Sequence, residues 1–257
     1  MKTYEGYLID LDGTMYRGDS EVRGAKEFIH SLQEHSIPYL FVTNNASLTP
    51  DEIVQKLQGF QIPARKKDVF TSALATASYI KRAKQDAKCF VIGENGLQEA
   101  IKDAGLPIVG ENADYVVIGL DRKMTYHQMA EAGLQIQAGA EFVSTNQDKA
   151  IPKTRGLYPG NGALTAILTT TTGVEATFVG KPNKIIMNEA IKRLGVEKDK
   201  VMMIGDNYET DIQAGMQADL DTLMVLTGVT KYEDIETLSE KPTYYVNDLT
   251  EWLKNLK

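Results

Sequence analysis

The chain has 257 residues, 42% of them apolar and 25% charged, with a formal net charge of −7 and a pI near 5.1. That length is long for one core and comfortable for two domains, and the acidic balance argues against a nucleic-acid partner or an anionic membrane surface. No apolar run approaches the ~20 residues of a membrane helix, and a single cysteine, Cys89, excludes an internal disulfide or a multi-thiolate zinc site.

The start, MKTYEGYLID, lacks the apolar stretch and small-residue cleavage site of a signal peptide. A cytoplasmic, reduced setting is therefore expected. His30, His35 and His127 fall in helix-like segments with no spacing that suggests a shared metal.

Tyr7–Asp10 reads as a strand, followed by a helix over Ala25–His35 with Phe28, Ile29 and Leu32 on one face. Pro38–Thr43 is an apolar strand. Thr49–Gln58 is a helix opened by Thr-Pro, with Thr as cap and Pro in the first helical position. Thr71–Lys84 is a further helix. This β-α-β-α order predicts a parallel sheet covered by helices.

The alternation restarts at Lys88: the strand KCFVIG, a helix over Leu97–Ala104, the strand YVVIGL from Tyr115, a helix over Tyr126–Ala138 and the strand Glu141–Ser144. Thr145–Gly162 reads as a long Gly/Pro/Lys-rich loop. A helix over Ala163–Thr172 and the strand ATFVG follow. Then come a helix over Asn183–Leu194, the strand VMMIGD, a helix stopping near Gly215, the strand DTLMVL and a closing helix over Leu249–Leu256.

In a parallel α/β sheet, ligands bind at the carboxyl ends of the strands, so the residues after each strand matter most. The first strand ends in Asp10-Leu11-Asp12-Gly13-Thr14 and the second in Thr43-Asn44-Asn45. Gly180-Lys181-Pro182 follows ATFV, and Gly205-Asp206 follows VMMI, with Asp211 a little over one helical turn on. Asp-Gly by itself is turn chemistry. A lone lysine is usually solvated, and Gly-Asp can simply cap a helix.

Together these residues make a parts list for phosphoryl transfer. Asp10 can serve as a carboxylate nucleophile, and Asp12, two residues on, as general acid and then base. Asp10 and Asp206 offer the hard oxygens that Mg²⁺ requires. The Thr43 hydroxyl, the Asn44 backbone N–H and Lys181 can hold the equatorial oxygens of a phosphoryl group.

DxDGT, a Thr ending the second strand, GKP and GDxxxxD, in this order, resemble the four motifs of the haloacid dehalogenase superfamily of aspartate-nucleophile phosphatases. The resemblance implies Asp10 as nucleophile and metal ligand, and Asp12 as acid/base and metal ligand through its carbonyl. It also implies Thr43 and Lys181 on the phosphate, Asp206 on Mg²⁺ and Asp211 supporting the metal's water shell. The filler of GDNYETD departs from that of many relatives, but both aspartates are present.

About 30 residues separate Asp12 from Thr43, one strand-helix-strand unit, whereas about 140 separate Thr43 from Lys181. The second interval has room for an inserted domain of ~100 residues. The layout resembles the NagD-like, p-nitrophenylphosphatase-like branch with a type IIA cap, in the segments VTNNAS, TSALATA, IGENGL, YVVIGLD, STNQD…YPGNGAL and VGKPN. Within the branch it is most similar to the acid sugar phosphatases, which act on small phosphorylated sugar acids. Other members take nucleoside monophosphates, phosphoglycolate or other phosphate esters.

The expected fold is α/β: a Rossmann-like core with a parallel sheet over 1–84 and 179–257, plus a smaller inserted α/β cap over 85–178 that selects substrates. Asn146 and Asp148 match the family's Thr-Asn-x-Asp and are expected at the substrate. Lys149, Lys153, Arg155 and Tyr158 lie on the same cap loop, either facing substrate or simply solvated. The expected partner is a small phosphorylated metabolite, and a homodimer through the cap is implied by resemblance.

A signalling receiver domain places its acids and phosphoacceptor differently and is about half as long. A dehalogenase would not need Asp12, a non-catalytic relative should have lost Asp10 or Asp12, and a phosphomutase carries its cap where this chain has no room. Hydrolysis of a phosphomonoester is the expected activity.

Overall fold

In the computed structural model, which describes residues 2–256, every residue of the first strand, β1 (Gly6–Ile9), is buried. A strand covered on both faces is the mark of a parallel sheet sandwiched by helices. In chain order there follow β2 (Tyr16–Arg17), β3 (Ser20–Glu21), α1 (Ala25–Glu34), β4 (Tyr39–Thr43), α2 (Pro50–Gly59), β5 (Val69–Thr71) and α3 (Ser72–Ala83). The middle of the chain forms β6 (Cys89–Ile92), α4 (Asn95–Asp103), β7 (Tyr115–Ile118), α5 (Tyr126–Gln137), β8 (Glu141–Ser144), β9 (Ala150–Lys153), β10 (Gly156–Pro159), α6 (Asn161–Thr172) and β11 (Thr177–Phe178). The last third forms α7 (Lys184–Leu194), β12 (Val201–Gly205), α8 (Gln213–Gln217), β13 (Asp221–Val225), α9 (Tyr232–Thr237) and β14 (Tyr244–Val246).

Two units emerge. The first comprises Met1–Thr43, Pro50–Phe70 and Lys181–Lys257, and the second Asn44–Thr49 and Thr71–Gly180. The chain therefore passes to the second unit near residue 71, one helix before the expected position at 85. The helix concerned, α3, buries Ala73, Ala75 and Ala77 and packs on α4 of the second unit.

The sheet of the first unit has the order β14-β13-β12-β1-β4-β5. The pairs from β14 through β4 are parallel. Ile9 faces Ile204 on one side and Phe41 on the other. One residue on, the Asp10 N–H donates to the Ile204 carbonyl at 2.9 Å. The register thus delivers Asp10 to the carboxyl edge of the sheet beside Gly205 and Val42. The antiparallel pair β2–β3 forms the flap that follows.

The second unit carries a parallel sheet in the order β11-β8-β7-β6. Val116, Ile118, Met129, Ile136, Phe142 and Leu168 form its core. A capping box, Thr125 with Gln128, starts α5. No helix among the described residues is long and apolar enough to cross a membrane.

Several elements differ from the sequence expectation. Thr145–Gly162 is not simply a loop, since β9 and β10 pair as an antiparallel hairpin. Lys153 pairs with Gly156 across a two-residue turn, and Gly156 takes φ +127, which a side chain would resist. The segment 249–256 forms two three-residue 3₁₀ turns in place of a helix; its buried Leu249 and Trp252 stand three apart, the period of that helix. The helix after Asp206 opens with a wide turn over Tyr208–Ile212 and runs past Gly215 to Gln217. The short elements β5, β14 and α9 carry too few residues to show a period.

Candidate active site

The carboxyl edge of the first unit brings together four of the expected residues. Asp10, Asp206 and Asp211 are all buried, and one oxygen from each lies within 4.8 Å of the others. Lys181, 2% exposed, reaches two of them and a backbone carbonyl. It donates to Asp10 Oδ1 at 2.5 Å, to Asp211 Oδ1 at 2.8 Å and to the Val42 carbonyl at 3.0 Å. Burial opposes its charge, but Asp10 and Asp211 outweigh burial and hold its pKa above the ordinary lysine value. The ammonium therefore stays charged.

Each carboxylate is aimed by its surroundings. Asp206 accepts from Val229 N–H at Oδ2 (2.8 Å) and from the Thr14 hydroxyl at Oδ1 (3.3 Å). Asp211 accepts from Asn207 N–H at 3.1 Å and from the Thr210 hydroxyl at 3.2 Å. Asp10 Oδ2 accepts no hydrogen bond from the described residues. Burial, then the charge of Asp211, pushes the Asp10 carboxyl well above the usual range, with Lys181 opposing. The same two causes raise Asp206 to about 6.

Three carboxylates against one ammonium leave two formal negative charges in a buried place. Such a cluster is unstable without compensation. Its all-oxygen donor set fits a hard divalent cation such as Mg²⁺. The residues present suit the ion.

Glycines make the close packing feasible. Gly13 takes φ +98, and a Cβ there would run into the Asp206 carboxylate. A Cβ on Gly228 would strike the same carboxylate. The sequence reading missed the loop Thr227-Gly228-Val229. It follows β13, a fifth strand end whose signal was only a Gly after an apolar run. It supplies the Val229 N–H, and the Thr227 hydroxyl donates to the Gly13 carbonyl at 2.6 Å.

Asp12 stands apart: its side chain is exposed and is not one of the clustered carboxylates. Its backbone bridges to Tyr16, and Gly13 N–H donates to the Tyr16 carbonyl at 2.7 Å. Tyr16 is buried, stacked on Phe60, with the Lys56 ammonium 3.9 Å above its ring. Thr43 ends β4, buried, next to the Val42 carbonyl that holds Lys181.

In the second unit, Asn44, Asn146 and Asp148 form one network. Asn44 Nδ2 donates to Asp148 Oδ1 at 3.2 Å, and Asn146 Nδ2 donates to the Asn44 carbonyl at 2.9 Å. Asp148 N–H donates to Asn146 Oδ1 at 3.1 Å. Asn161 supports it, its Nδ2 reaching the Asn146 carbonyl at 2.8 Å and Ser144 Oγ at 2.9 Å. Lys149, Lys153, Arg155 and Tyr158 are exposed on or beside the β9–β10 hairpin.

Comparison with known proteins decides the family. A haloacid dehalogenase-like hydrolase model matches residues 7–107, and an HAD-hydrolase-like model matches 178–252. The chain is 53% identical to 5'-nucleotidase YutF of Bacillus subtilis, over 98% of this chain and 99% of that one. The chain belongs to the haloacid dehalogenase-like hydrolases. It is 48% identical to the acid sugar phosphatase of Staphylococcus haemolyticus, over 100% of this chain and 98% of that protein. The solved structure of NagD from E. coli superimposes with a TM-score of 0.92 at 31% identity, covering 97% of this chain and 98% of that one. This haloacid dehalogenase-like hydrolase is a phosphatase with the NagD-type α/β fold.

Proposed function

We propose that this phosphatase hydrolyses small phosphomonoesters through an aspartyl-phosphate on Asp10. The observation that carries this reading is the buried cluster in which Lys181 pairs with Asp10 and Asp211 while Asp206 completes a three-carboxylate set. Asp10 attacks phosphorus, the ester P–O bond breaks, and Asp12 gives its proton to the departing alkoxide. Water then attacks the phosphorus, Asp12 takes its proton, and inorganic phosphate leaves with Asp10 restored.

Asp10, the Asp12 carbonyl, Asp206 and Asp211 would hold Mg²⁺, directly or through its water, and the ion would neutralise charge between phosphate and carboxylates. Lys181, the Thr43 hydroxyl and the Asn44 N–H bind the phosphoryl oxygens and stabilise charge that builds in the transition state. Asp12 is exposed and stands outside the carboxylate cluster, so its carboxyl is left to serve the leaving group and then the attacking water.

The second unit, which includes the segment 85–178, serves as the specificity cap, with Asn146 and Asp148 contributing to substrate selection. The preferred substrate class is small phosphorylated sugar acids. Lys149, Lys153 and Arg155 support this, since they form no ion pair with any described residue and suit a second carboxylate. Nucleoside monophosphates are the second reading, favoured by the 53% identity to a protein named as a 5'-nucleotidase. A homodimer in a cytoplasmic setting is proposed from the resemblance; light scattering of the purified chain tests the dimer.

The deciding experiment measures phosphate release from a panel of phosphorylated sugar acids, nucleoside monophosphates, phosphoglycolate and p-nitrophenyl phosphate, with Mg²⁺ and with EDTA. Release that needs Mg²⁺ and favours sugar acids is expected. Preference for nucleotides moves the substrate to the second class. Full activity of Asp10→Asn would overturn the proposed nucleophile.

A further inference from the structure

The far end of the first unit's sheet, at the start of β4, holds a cavity of about 660 Å³. That is within the ~300–1,000 Å³ of small-molecule sites. Its charged lining is Arg65, Lys67, Arg193 and Asp68, three cations against one carboxylate in a protein whose net charge is −7.

The single acid is held by Arg65, and its charge also reaches Arg193. Asp68 is buried, and Arg65 takes both its oxygens, Nε to Oδ2 at 2.9 Å and Nη2 to Oδ1 at 3.1 Å, while Arg65 N–H donates to Oδ2 at 3.0 Å. Lys67 and Arg193 form no ion pair with any described residue. Arg193 is nonetheless held in place. Its guanidinium lies 5.5 Å from the Phe70 ring centre and donates to the Lys67 carbonyl at 3.4 Å. The last turn of a helix favours a cation through the helix dipole, which accounts for a basic residue near the end of α7. It does not account for a guanidinium held on the Lys67 carbonyl in the lining of a cavity that Lys67 shares. An arginine pre-set in this way is suited to the oxygens of a phosphate. Ile37, Pro38 and Leu194 supply an apolar wall that is open to contact.

We propose that this cavity is a second anion site, which takes the phosphate of a small organic phosphate against Lys67 and Arg193 and its carbon skeleton along Ile37, Pro38 and Leu194. It is separate from the carboxylate cluster. Tyr39 lines the cavity and Thr43 ends the same strand, four steps or about 13 Å away. The proposal does not rest on the phosphatase mechanism.

The test is a methyl NMR titration of the full chain, labelled at Ile and Leu, in EDTA. The probes are a nucleoside 5'-phosphonate, which has no cleavable ester, inorganic phosphate, and adenosine. The expected result is saturable movement of the Ile37 and Leu194 methyls with the phosphonate, at least tenfold weaker binding of inorganic phosphate, and no movement with adenosine. Lys67→Glu, an exposed site, and the double variant with Arg193→Glu should each lose at least tenfold in affinity while turnover of p-nitrophenyl phosphate is unchanged. No movement, equal movement with adenosine, or full affinity in Lys67→Glu and the double variant overturns the site. Inorganic phosphate binding as tightly as the phosphonate overturns its assignment to an organic phosphate.

Discussion

Lys181 and Asp10, 171 positions apart in the chain, meet at 2.5 Å with the lysine almost fully buried. The pair ties the first strand to the loop that precedes α7, and the same ammonium also holds Asp211 at 2.8 Å. It therefore has a structural duty besides any catalytic one, and the two sides of the pair should respond differently to substitution.

Removing the cation leaves three buried carboxylates with no opposing charge. Lys181→Ala should abolish turnover and also cost roughly 3–5 kcal/mol of stability, the usual effect of orphaning a buried charge. Urea unfolding in EDTA measures it. An unchanged midpoint would show that the lysine is not the counter-charge of the cluster.

Neutralising Asp10 acts the other way. Asp10→Asn removes one of three crowded carboxylates while Lys181 keeps Asp211. Turnover should fall by roughly 10³-fold or more, as for loss of a nucleophile, while the melting temperature in EDTA stays level or rises. A clear fall in that temperature would mean that Asp10 is needed for the fold.

Three residues of the cluster, Asp10, Lys181 and Asp206, were legible in the sequence because each follows an apolar run at the carboxyl end of a strand. Asp211 was legible from its spacing after Asp206. The loop Thr227–Val229 was not, because its contribution to Asp206 is a backbone N–H and the absence of a Cβ. Neither leaves a side-chain signature. The β9–β10 hairpin was hidden for a related reason. Its residues are nearly all exposed, so no alternation of apolar and polar positions marks the strands. Where the chain crosses between units was also invisible, since α3 follows β5 without any loop.

Metal removal should be visible without any assay of turnover. With two uncompensated negative charges in the cluster, Mg²⁺ should raise the melting temperature of wild-type protein by several degrees at saturation, through linkage between binding and folding. Asp206→Asn should lose most of that rise. An equal rise in wild type and variant would place the ion elsewhere.

The only cysteine gives a pH test away from the site. Cys89 is fully buried, and burial, aided by the charge of Asp114, pushes its thiol up to about 11. The folded chain thus holds the thiol proton more tightly than the unfolded one. Its share of stability is complete below the ordinary thiol pKa and is lost as pH rises through about 11. At pH 8 the native protein should react with a thiol reagent far more slowly than the denatured protein, and Cys89→Ala should flatten the loss of stability between pH 9 and 11. Rapid native labelling at pH 8 would contradict the burial.

Gly228 offers the sharpest probe of how the cluster is aimed. A methyl group there would overlap the Asp206 carboxylate, which Val229 N–H and Thr14 otherwise fix. Gly228 touches no substrate in the proposed reaction, so its effect must pass through Asp206. Gly228→Ala should raise the Mg²⁺ concentration for half-maximal activity by roughly 10–100-fold, as loss of outer support does at metal sites, and saturating Mg²⁺ should restore much of kcat. An unchanged Mg²⁺ requirement together with low kcat would instead point to a direct part for this loop in the chemistry.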